Sequence, residues 1–150
     1  MNFLLSLFDA WASNHKIMLI WINSLENLEK QCQSCLLPNL LPVFPDLTRK
    51  LIHKINLEIN RVSKELDKSF SELKSLLNSM QQLSAISNDL KVTEIVENYH
   101  NEYWTIFELI QLYRNGELKI TDIKQRILNQ TWIDFHLESD ARQVLALKKE

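Results

Sequence analysis

Three groups of residues in this sequence have the types and spacings that chemistry uses. Glu97-Asn98-Tyr99-His100 is a Glu-x-x-His step, which on a helix sets a carboxylate and an imidazole on one face. Di-iron helical bundles need two such steps and two further glutamates. None of His15, His53 and His136 has a carboxylate three residues before it, so Glu97 and His100 read as surface residues flanking a stripe of Tyr99 and Tyr103. Cys32 and Cys35 form a C-x-x-C pair. A redox pair of that spacing belongs beside a βαβ pattern, and a zinc site needs two more closely spaced ligands. With neither in the sequence, the pair reads as reduced cysteines packing as small apolar residues at a helix end, which fits a cytosolic or nuclear compartment. The third group is a basic run: Arg49, Lys50, Lys54, Arg61 and Lys64 against the single acid Glu58 within residues 47–64. A solvated helix face is the plain reading, and a strip that takes a phosphate or an acidic group is the sharper one.

The rest of the composition narrows the chemistry further. The chain has 150 residues and a single glycine, Gly116, where average usage would supply about ten. Phosphate-cradling loops, dinucleotide folds and nucleophile elbows all need glycine where the backbone turns sharply or approaches a ligand. No serine stands in a nucleophile context and no zinc-helix motif occurs, so the sequence points to no enzyme, no cofactor and no metal. A formal charge of −2 argues against direct nucleic-acid binding, which calls for a strongly basic domain. The apolar run Phe3–Phe8 is short, follows no Lys or Arg and is interrupted by Asp9, unlike a signal peptide. No apolar run is long enough to span a membrane.

The elements that carry these residues read as helices. Apolar residues make up 45% and charged residues 24% of the chain, a globular balance, and glycine is too scarce for hairpin turns. Phe3, Leu7, Trp11, Met18, Ile22, Leu25, Cys32 and Leu36 advance mostly by three, four or seven, predicting a helix over about 2–37 with Trp11 in its core. Ser13-Asn14 is expected to break it locally, and Pro38 and Pro42 end it. A second helix is expected to open at Pro45, whose φ is preset for a first turn. Asp46 is placed to complement or cap its positive end, and Phe44 to fold back on Leu47 or Leu51 as a staple. From Leu47 through Leu51, Ile55, Ile59, Val62, Leu66, Phe70, Leu73, Leu77, Met80 and Ser84 the apolar steps form a near-heptad seam.

Arg61 with Glu65 and Lys68 with Glu72 are expected as i,i+4 pairs. A loop is expected over 84–91, then a third helix over 92–114 with Thr93 as cap and Gly116 as its left-handed stop. A short helix over 121–129 with Thr121 as cap, an irregular stretch over 131–139 and a last helix over 138–148 complete the reading. The expected fold is all-α: one domain over 1–150, an elongated antiparallel bundle of three long helices with a short C-terminal helical appendix. Trp104 falls off the main stripe beside Tyr103, and Trp132 and Phe135 sit in the irregular tail. Exposed aromatics of this kind are favoured at protein interfaces.

Several short motifs then occur in a telling order. Trp11 and Ser24–Gln31 (SLENLEKQ) come first, Phe44-Pro45-Asp46-Leu47 opens the long central helix, and Tyr99 and Tyr103 mark an aromatic third helix. Trp132 precedes an acidic-polar turn and a final helix. The series resembles the AIRIM family, small helical ribosome-maturation factors that work with AAA+ ATPases of the large-subunit assembly pathway. The resemblance covers most of the chain. It departs from the family in a shorter segment between helices two and three, SAISNDLK at 84–91, and in a shorter final helix. It implies a non-enzymatic adaptor that docks a companion protein and an AAA+ ATPase, touches pre-ribosomal particles indirectly, leaves ATP hydrolysis to its partner, and works in the nucleus, nucleolus and cytoplasm. Candidate partner contacts are Phe44, Pro45, Asp46, Leu47, Trp104, Trp132 and Phe135. The alternative is a coiled-coil subunit of another complex, of tether or kinetochore type, with the second helix paired between chains.

Overall fold

The computed structural model describes residues 2–35 and 44–128. Within them α1 spans Asn2–Cys35, α2 spans Pro45–Ser87 and α3 spans Leu90–Arg114. Residues 120–128 form a short fourth helix, α4, and no strand occurs among the described residues. The stretches expected at 131–139 and 138–148 lie outside them.

The helix ends show what the side chains do locally. α1 passes through Ser13-Asn14 without the expected break. Asn14 Nδ2 donates to the Ala10 carbonyl one turn back at 2.9 Å, so a side chain that elsewhere draws the backbone out of a helix is satisfied within this one. α2 opens with Pro45 after Phe44, and no side chain caps it. Asp46 sits inside the first turn, where its charge complements the helix dipole without capping. The loop expected at 84–91 is reduced to Asn88, left-handed at φ 52, and Asp89. Asp89 Oδ1, not Thr93, caps α3 by accepting from the Lys91 amide at 2.9 Å. The serines that suggested a loop are instead satisfied at the helix end: Ser87 Oγ donates to the Ser84 carbonyl, and Ser84 Oγ donates to Thr93 Oγ1 across the turn. α3 closes as expected at Gly116, φ +78, with the Glu117 amide reaching back to the Leu112 carbonyl at 2.9 Å, a Schellman-type end. Thr121 lies within α4, whose first acceptor is the Lys119 carbonyl.

The long helices run up, down and up. Arg61 of α2 stacks over Trp21 of α1, Asp67 of α2 meets Arg114 of α3, and Phe8 of α1 stacks on Tyr99 of α3 at 5.0 Å. All four helices share one apolar core, with Trp11, Met18, Ile22, Leu73, Met80, Ile106, Ile123 and Ile127 fully buried. Each such side chain contributes about 1.5–3 kcal/mol on leaving water. Trp11 is core, as its spacing predicted, and stands edge-on to Tyr99 at 5.2 Å.

The seam of α2 is buried over only part of its length. Ile55, Val62, Leu66, Leu73, Leu77, Met80 and Ser84 are buried, whereas Leu47 and Leu51 are 61% and 47% exposed. Two features of the neighbouring helices change along this half of α2. Arg114 in the last turn of α3 lies beside Asp67, so the part of α2 before Asp67 extends about 33 Å past that end of α3. Beyond Leu25, the described side chains of α1 include half-buried Leu28 and Cys32 among the polar Glu29, Lys30, Gln31, Gln33 and Ser34. The surface ion pairs also differ from expectation. Arg61 bonds Glu58 and Lys68 bonds Glu65, each cation reaching one turn towards the N-terminus, the favoured acid-before-base order.

Candidate partner-binding surface

The first turns of α2 carry an apolar ridge. Phe44, Leu47 and Leu51 are 53%, 61% and 47% exposed, and their spacing of three and four puts them on one side of the helix. The expected staple does not bury them. Pro45 and Asp46 are exposed beside them, whereas Thr48 turns inward.

Lys50 and Lys54 follow Leu47 and Leu51 at i+3 and so border the ridge. With Arg49 they are exposed, and Asp46 is the one acid in residues 44–57. Arg61, further along the basic run, is already engaged. It donates through Nε to Glu58 Oε1 at 2.8 Å, and its guanidinium stands 6.0 Å from the Trp21 ring centre. The Arg61 hydrogen bond holds the Glu58 carboxyl below its ordinary value. Arg49, Lys50 and Lys54 make no ion pair among the described residues.

Trp104 lies on a different patch. It is 46% exposed and edge-on to Phe107 at 5.3 Å and to Tyr103 at 5.4 Å, while Tyr103 stacks on Phe70 at 4.8 Å. Phe70 is twenty-three residues along α2 from Leu47, about 35 Å, so the structure does not gather Trp104 with the ridge. Trp132 and Phe135 lie outside the described residues.

Among the described residues, the groups singled out by sequence are placed as follows. Glu97 is exposed, and His100 Nδ1 faces Gln81 Nε2 at 3.1 Å. No group of three His, Cys, Asp or Glu among the described residues is placed to hold a metal. Cys32 is a half-buried free thiol. A cavity of about 430 Å³ between the end of α1 and the α3–α4 turn includes Glu26 and Glu29, but the chain's own groups engage both. Lys30 Nζ donates to Glu26 Oε1 at 3.1 Å, drawing that carboxyl below its usual value with help from Lys124. The Tyr113 hydroxyl donates to Glu29, and burial reinforced by that bond raises the phenol. No helix among the described residues is long and apolar enough to cross a membrane.

Two features escaped the sequence reading. Phe3, Ile86 and Leu90 are 65%, 79% and 87% exposed at the α2–α3 turn end of the bundle; reading 84–91 as a loop hid two of them. His15 and Glu102 are both 2% exposed between α1 and α3, with Nε2 and Oε1 3.8 Å apart. Burial lowers the imidazole to about 4, so it is neutral at pH 7. Neither Glu102 oxygen has a hydrogen-bond partner among the described residues. The available signal was spacing: His15 is one helical turn from Trp11, and Glu102 is three residues from Tyr99.

No family model matches the chain, and no curated protein or solved structure matches it.

Proposed function

We propose that this chain is a non-enzymatic adaptor that docks a protein partner through the start of α2. The observation that supports the reading is the Phe44–Leu47–Leu51 ridge, an exposed continuation of a stripe that is core elsewhere on the same helix. Protein interfaces favour aromatic anchors at an apolar centre with a polar rim, and the Phe44 ridge bordered by Lys50 and Lys54 has that composition. Trp104 is a second, separate contact candidate.

The setting comes from the resemblance to AIRIM, carried partly by the same residues, Phe44–Leu47. It is large-subunit ribosome maturation, with a companion adaptor and an AAA+ ATPase as partners and ATP hydrolysis belonging to the ATPase. A tagged full-length chain is expected to co-purify an AAA+ ATPase and large-subunit precursors, and Leu47→Glu to release them. Repeated pull-downs without either would overturn this setting.

The rival reading, a coiled-coil subunit of another complex, draws on the same unburied positions Leu47 and Leu51. The seam beyond them is occupied within the chain, from Ile55 to Ser84, which favours the adaptor. Light scattering separates the two: a monomer fits the adaptor, and an obligate oligomer dissociated by Leu47→Glu fits the coiled coil.

A further inference from the structure

We infer that the start of α2 receives an acidic amphipathic helix of the partner protein. The inference deepens the adaptor reading and rests on it for the partner being a protein. Along most of its length α2 presents apolar residues at helical spacing, and other helices of the chain cover them. Past the level of Asp67, α3 has ended. Trp21 packs beside Arg61, so fourteen residues on along α1 and fourteen back along α2 bring Cys35 level with Leu47. The ridge therefore lies beside the last turns of α1 and past the end of α3, while Thr48 and Ile55 on the same helix stay buried. Anchors spaced three and four apart suit another helix, which meets such a ridge with residues at i, i+3, i+4 and i+7.

Charge selects among amphipathic helices. Lys50 and Lys54 are exposed beside the ridge and form no ion pair among the described residues, with Asp46 the one acid in residues 44–57. A helix whose apolar face is bordered by Glu or Asp complements that rim. A basic one is repelled by it, so the rim acts on specificity and association rate.

The test uses the full-length chain and a designed helical peptide of about eighteen residues, five turns, with Leu at i, i+3, i+4 and i+7 and Glu beside them. A second peptide carries Lys in place of every Glu. By fluorescence anisotropy, the Glu peptide is expected to bind saturably, and Leu47→Glu to weaken it at least about tenfold, the loss of one buried anchor. Lys50→Glu with Lys54→Glu is expected to abolish the preference for the Glu peptide and transfer it to the Lys peptide. Equal binding of both peptides by the unaltered chain overturns the charge argument, and Glu-peptide binding indifferent to Leu47→Glu overturns the site.

Two controls address other occupants. Sedimentation with vesicles of phosphatidylcholine and phosphatidylserine asks whether the ridge meets a membrane instead. Light scattering across concentration asks whether it meets a second copy. Ridge-dependent binding in either overturns the inference. Leu47→Glu is expected to melt as the unaltered chain does; a large loss of stability would show the ridge to be part of the chain's own core, and would also overturn it. A pull-down lost on Leu47→Glu without peptide binding leaves the adaptor standing and removes only the acidic helix. Charge-selective peptide binding without an ATPase in the pull-down leaves the acidic helix standing and removes the ribosome-maturation setting.

Discussion

Acid should weaken this fold through His15, and the size of the effect follows from its burial. The imidazole is 2% exposed, and burial lowers its pKa from 6.5 to about 4. As pH falls below 6.5 the unfolded chain takes up a proton at His15 that the folded chain refuses. The unfolded state then binds more protons, and stability declines with acidification. The contribution is complete above pH 6.5 and is lost on the way down to pH 4. Between pH 7 and pH 5 the linkage relation gives a loss of about 2 kcal/mol, approaching about 3 kcal/mol by pH 4. Other groups titrate over the same range, so the quantity to measure is a difference. Urea unfolding followed by helical circular dichroism at pH 7, 6 and 5, on the natural chain and on His15→Leu, isolates it. The natural chain is expected to lose about 2 kcal/mol more than the variant between pH 7 and pH 5. Glu102 is the ionisable group facing the ring from α3, 3.8 Å away. If its charge governed the imidazole rather than desolvation, the natural chain would hold its stability better than the variant on acidification. That result, or parallel curves, would refute the reasoning.

Leu73 and Leu47 test the two parts of the α2 seam. Leu73 is fully buried, so Leu73→Ala is expected to cost about 2–5 kcal/mol in urea unfolding, whereas Leu47→Ala, at a site 61% exposed, should stay within about 0.5 kcal/mol. Asp89→Ala removes the acceptor of the Lys91 amide and is expected to lower stability by about 1 kcal/mol, seen as a lower melting temperature with the fold retained.

The helices were legible because their signals were periodic and redundant. The spacing of Leu47 through Ser84 located α2, and Pro45 and Gly116 marked a start and a stop through backbone restrictions that no neighbour can reverse. Errors arose where a residue's partner decides its role. Ser84, Ser87 and Asn14 have side chains that compete with the backbone, yet each found an acceptor within or across its helix, and the expected breaks vanished. Leu47 and Leu51 share the seam's spacing yet stay exposed, while Thr48 and Ile55 beside them are buried. One helix's periodicity does not report where the others stop. The same limit applied to the surface: Phe44 and Leu47 were singled out by motif, but their distance from Trp104 needed the packed bundle.

The exposed ridge at the start of α2 separates two kinds of evolutionary pressure on one continuous helix. At the buried seam positions from Val62 onward a substitution is judged first by whether the chain still folds, because those side chains complete the core. At Phe44, Leu47, Lys50 and Lys54 little of the fold leans on the side chain, and under the proposed docking role a substitution there is judged by what is recognised. Under that proposal, binding preference is free to drift or be redesigned at that tip by single substitutions, without compensating repairs elsewhere in the protein.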